Sequence, residues 1–120
     1  MEFISLRWLY AALLLSPALI LPAQDTRNVT EPKVPAACVT LEAAIAAPNG
    51  VIAEKDEKAL DTERIQAALD SCASQGKEGK AVVLRAKGKK NVFISGPLAL
   101  RPGVTLVVEK NTVLVASRDP

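Results

Sequence analysis

The sequence predicts a mainly β protein, the start of a β-solenoid lying against one amphipathic α-helix, and three observations predict it. The hydrophobic period changes from 3.6 to 2 after the segment that ends at Gly76. The strand-like runs that follow are short, rich in Val and Leu, and return about every 8 to 12 residues. Two of them carry unbroken apolar triplets, Val82-Val83-Leu84 and Leu106-Val107-Val108, as strands buried on both faces do in parallel sheets. No helical pattern separates the runs, so parallel pairing here requires a chain that winds on itself rather than a βαβ crossover.

The first segment, residues 1–23, reads as a secretory signal peptide: Arg7, an apolar stretch from Trp8 to Leu21, then small residues with Ala23 before the cleavage point. The apolar stretch is about 14 residues, short of the roughly 20 that span a bilayer, which speaks against the alternative of an uncleaved anchor. Residues 24–37 form an extended leader, with prolines and few large apolar groups. It contains the sequon Asn28-Val29-Thr30, so Asn28 is a possible glycosylation site in a host that glycosylates.

Within Cys38 to Ala47, the spacing of Leu41, Ala44 and Ile45 suggests a short helix ended by Pro48, Asn49 and Gly50. A strand over Val39 to Leu41 competes with it. The clearest helix begins at Asp61, a candidate helix cap that can offer its carboxylate to free amides of the first turn, with Glu63 set against the positive end of the dipole. Ile65, Ala68, Leu69 and Cys72 recur at i, i+3, i+4 and i+7, and Gln75 and Gly76 close the helix. Strands are then expected over Ala81 to Ala86, Asn91 to Gly96, Pro97 to Leu100, Val104 to Glu109 and Thr112 to Ser117. Turns fall at Gly88-Lys89-Lys90, at Arg101-Pro102-Gly103 and at Lys110-Asn111.

Composition narrows the chemistry. The 120 residues contain no histidine, two cysteines and a net charge of +2. Histidine-based nucleophilic catalysis is thereby excluded, no cofactor or metal site is indicated, and no pull toward nucleic acid is expected. Export makes Cys38 and Cys72 a natural disulfide pair, with two buried thiols as the alternative. Lys77, Lys80, Arg85, Lys87, Lys89 and Lys90 crowd one segment against Glu78 alone. A polyanion would be drawn to it, although a solvated turn region is the blander account. Asp56, Glu57, Asp61 and Glu63 read as surface and cap residues rather than an acid/base pair.

Asp61 to Cys72, then Ser95-Gly96-Pro97-Leu98, then Ala116-Ser117-Arg118-Asp119-Pro120 together resemble the N-terminal part of the polygalacturonase family, glycoside hydrolase family 28, over Cys38 to Pro120. The resemblance implies a right-handed parallel β-helix of the pectin-lyase-like kind, its end covered by the helix from Asp61, so that residues 38–120 make the cap and first coils. It implies a secreted or periplasmic enzyme that hydrolyses galacturonan, with pectic polysaccharide as partner and no membrane association once the signal peptide is removed. Inverting hydrolysis needs carboxyls roughly 6.5 to 9.5 Å apart. The family's Asn-Thr-Asp, Asp-Asp, Gly-His-Gly and Arg-Ile-Lys signatures are absent; Asn111-Thr112-Val113 lacks the aspartate. No catalytic residue carries over, and the sequence reads as a truncated enzyme, inactive alone. A free-standing exported carbohydrate-binding or structural module, or a piece of a polysaccharide lyase, are the alternatives.

Overall fold

A computed structural model describes residues 25–75 and 80–118; the expected signal peptide, Gly76, Lys77 and the final Asp119-Pro120 lie outside them. The chain divides into two units, residues 1–31 and 32–120. In the first, the Arg27 guanidinium donates to both carboxylate oxygens of Asp25, and Asn28 beside it is exposed.

The second unit contains strand β1 (Ala36–Glu42), helix α1 (Thr62–Ser74), β2 (Lys80–Arg85), β3 (Val92–Ser95), β4 (Val104–Val108) and β5 (Val113–Ala116). The strands form two parallel sheets, ordered β1-β2-β4 and β3-β5. Val82 pairs with Leu106, 24 positions further along the chain, and Val92 with Val113, 21 positions further. From β2 onward, chain leaving one sheet therefore passes through the other and returns one strand over without an intervening helix, whereas α1 lies between β1 and β2.

The turns that permit this are legible in single residues. Lys87 and Lys90 exchange backbone bonds of 2.7 and 3.0 Å around Gly88, whose φ of 58° sits at the first central position of a two-residue loop. At the next corner Pro102 holds φ and Gly103 takes φ 74°, as a type II turn requires, and Val104 N–H bonds Arg101 C=O at 3.2 Å. Asn111 does the same work at φ 62° between β4 and β5.

Three expectations are corrected. The segment from Cys38 is not helical: β1 runs through it and takes in Ala36 and Ala37 of the supposed leader. Pairing with β2 decides this, since Val39, Thr40 and Leu41 lie opposite Val82, Val83 and Leu84, and the β-branched residues suit the ladder. Pro97 to Leu100 is not a strand, because Ala99 spends both backbone groups on one side chain: its N–H donates to Gln66 Oε1 at 2.9 Å and its C=O accepts from Gln66 Nε2 at 3.1 Å. Nor is every apolar triplet buried on both faces. β2, flanked by β1 and β4, is buried from Ala81 to Leu84, whereas Val108 in β4, paired on one side only, is 42% exposed.

The core gathers on one side of α1. Ile65, Ala68, Leu69 and Cys72 are buried against Val82 and Leu84 of β2 and Phe93 of β3. Val92 and Ile94 point the opposite way, as period 2 demands, into a second cluster with Ile45 that Ile52 and Val115 flank. Cys38 and Cys72 are paired between β1 and α1, their Cα atoms 6.0 Å apart. No helix among the described residues is long and apolar enough to cross a membrane.

Candidate functional site

Asp61 stands at the N-cap position of α1 but does not cap it: its side chain makes no bond to the helix's own amides. One carboxylate oxygen accepts from Ile94 N–H at 3.2 Å, and the other accepts from the Arg64 guanidinium. Arg64 also donates to Glu42 C=O at 2.9 Å and lies over the Phe93 ring, 5.3 Å from its centre. The expected cap is thus a tie between helix, β1 and β3, and its buried carboxylate is fully engaged in structure rather than open to a substrate. Glu57 meets Arg118 at 3.8 Å, at the edge of a second cavity of about 500 Å³ that both residues line with Ile52, Ile94 and Val115. No group of three metal-ligating side chains occurs among the described residues.

Of the basic crowd, Lys80 bonds Gln75 at 2.8 Å, Arg85 binds both oxygens of Glu109 at 2.8 and 2.9 Å, and Lys87 pairs with Glu42. Parallel register produces the arrangement: Glu42 pairs with Arg85, and Glu109 follows the residue that pairs with Leu84. Glu42, Arg85 and Glu109 therefore stand as an alternating ladder across the ends of three strands. The Arg85 guanidinium holds the Glu109 carboxyl below its ordinary value, and bonding from Lys87, with its charge and that of Arg85, lowers Glu42 likewise.

Beside the ladder lies an open groove of about 620 Å³, within the size range of ligand clefts. Ala46, Ala47, Pro48 and Ala86 line part of it. Lys89 and Asn91 enter from the β2–β3 connection, Lys110 and Asn111 from the β4–β5 turn. Lys89 and Lys110 form no ion pair among the described residues, so the groove carries net positive charge. The lysine cluster marked Lys89 in advance. Lys110 and Asn111 were missed, because only the coiling of the chain brings them beside it; an isolated Lys-Asn in a turn carries no such signal.

No protein-family model matches the chain. An endo-polygalacturonase of Pectobacterium parmentieri is 40% identical over 94 residues, 78% of this chain and 19% of that protein. A polygalacturonase of Ralstonia nicotianae is 38% identical over 101 residues, again 78% of this chain and 18% of its own length. The solved polygalacturonase from Erwinia carotovora ssp. carotovora superimposes with a TM-score of 0.55 at 39% identity, over 78% of this chain and 20% of that one. The chain spans about a fifth of the length of the relatives it matches. Over that span it is homologous to the polygalacturonases in sequence and in fold.

Proposed function

We propose that this chain supplies the cap and opening coils of a secreted, right-handed parallel β-helix hydrolase acting on galacturonan, and that by itself it turns over nothing. The observation that carries this reading is the agreement of identity with architecture: near 40% identity accompanies a chain whose strands pair in parallel after passing through a second sheet. A solenoid end left open exposes core and unpaired strand edges, so it needs a cover. In this reading α1 is that cover, with Ile65, Leu69 and Cys72 turned to the coils. Residues 1–23 direct export, and the Cys38–Cys72 pair suits the oxidising compartment. The substrate is a pectic polysaccharide, hydrolysed by acids that other parts of such an enzyme contribute.

The test is a chimera. The matched stretch of the Pectobacterium endo-polygalacturonase is replaced by residues 36–118 of this chain, and release of reducing ends from polygalacturonate is followed. Retained turnover is the expected result. A chimera that is soluble and melts cooperatively, yet releases no reducing ends, overturns the reading. The 120-residue chain assayed alone is expected to give none.

A further inference from the structure

We propose that the groove beside the Glu42–Arg85–Glu109 ladder is a binding site for an acidic sugar chain, a run of uronic acid units, on the solenoid's own surface. Three features point to that chemistry. Lys89 and Lys110, which form no ion pair among the described residues, come from successive turns of the coil and reach the same groove, so they offer two separate cationic contacts rather than one. A polymer with a carboxylate on every unit can meet both; a single small anion meets one. Arg85 does not compete, because Glu109 holds its guanidinium through two bonds and so fixes the wall between them.

The second feature is neutral polarity. The side-chain amides of Asn91 and Asn111 make no hydrogen bond among the described residues and line the groove beside the lysines. An amide both donates and accepts, which matches hydroxyl groups set between carboxylates. The third is the small-residue lining of Ala46, Ala47, Pro48 and Ala86, which leaves the groove open for a ring to lie along it. The choice of galacturonate as the uronate rests on the function proposed above; the charge and hydroxyl recognition does not.

The test is affinity electrophoresis of the full chain through native gels containing polygalacturonate, neutral galactan or poly-glutamate. Wild type is expected to be retarded by polygalacturonate, more weakly at higher salt, because exposed charges are screened within about 10 Å at 0.1 M. The double variant Lys89→Ala/Lys110→Ala is expected to bind about tenfold more weakly, the scale of two exposed ionic contacts. Lys89→Arg/Lys110→Arg should keep binding. Lys33→Ala/Lys55→Ala removes the same charge away from the groove and should leave binding unchanged. Circular dichroism and gel filtration hold fold and association state equal across the set. Equal loss in the control pair, equal retardation by poly-glutamate or galactan, or no retardation of wild type overturns the inference. The chimera's turnover is a separate readout, so failure here is distinguishable from failure of the proposed function.

Discussion

Asp61 shows what one side chain does in this molecule. It is 6% exposed, and its carboxylate satisfies the Ile94 N–H while meeting Arg64. Removing it in Asp61→Ala leaves a buried donor without a partner, which costs about 1 to 3 kcal/mol. Asp61→Asn keeps one acceptor and is expected to lose less. Urea unfolding reads both, and an unchanged midpoint for Asp61→Ala would show that water replaces the carboxylate at no cost. Glu109 makes a second, half-buried case. Bonding from Arg85 lowers its pKa from the ordinary 4.5. A depressed carboxylate stabilises the folded chain above its unfolded pKa, and that stabilisation is lost as pH falls through the folded value. Carbon-detected NMR titration should place Glu109 below 4.5 in wild type and return it toward that value in Arg85→Gln. Identical titration in both proteins would contradict the ladder.

Helix α1 is held by two faces of different chemistry. Its apolar stripe packs on Val82, Leu84 and Phe93. A second, polar stripe runs through Thr62, Gln66 and Asp70, spaced i, i+4 and i+8. Thr62 Oγ1 accepts from Gly96 N–H at 2.8 Å, Gln66 brackets Ala99, and Asp70 pairs with Arg101 at 2.6 Å. The polar stripe thereby fastens the β3–β4 connection along the helix. The Cys38–Cys72 pair ties the same helix to β1 across 34 positions of sequence. In the chain-entropy account, a loop of that length corresponds to about 3 to 4 kcal/mol. Cys38→Ala/Cys72→Ala in exported protein should lower the unfolding free energy by about that amount. A non-reduced digest should show the two peptides linked. Two thiols that alkylate freely in periplasmic material would contradict the pairing.

Across the whole unit, burial is uneven in a way that predicts behaviour in solution. β2 is paired on both sides, while β4 and β5 are each paired on one. Val108 and Val113 are 42% and 46% exposed on these strands. Unpaired edges in β-prone, weakly charged segments are templates for another chain. The 120-residue chain expressed alone is therefore expected to self-associate, as gel filtration with light scattering would record. Val108→Lys/Val113→Lys places charge on both strands and should shift the population toward monomer without loss of circular dichroism. A wild-type chain that stays monomeric at high concentration would show that these edges are not adhesive.

The local elements could be read from residues because their causes are local. The stripe from Ile65 to Cys72, the positive φ at Gly103, the turn at Lys110-Asn111 and the alternation around Phe93 follow from a period or from a steric rule. What needed the tertiary structure were choices made by partners far along the chain. The segment Cys38 to Ala47 has helical spacing in part, but β2 offers a ladder to Ala36–Glu42, and long-range pairing outweighs a weak local preference. Pro97 to Leu100 has strand-like composition, but the Gln66 amide satisfies Ala99 first. Asp61 has a capping residue's identity, yet the nearest unsatisfied donor belongs to Ile94, 33 positions away. The groove is of the same kind. Lys89 and Lys110 are each an ordinary turn lysine, and they become one cationic surface because the parallel pairing of β2 with β4 and of β3 with β5 sets the two connections side by side.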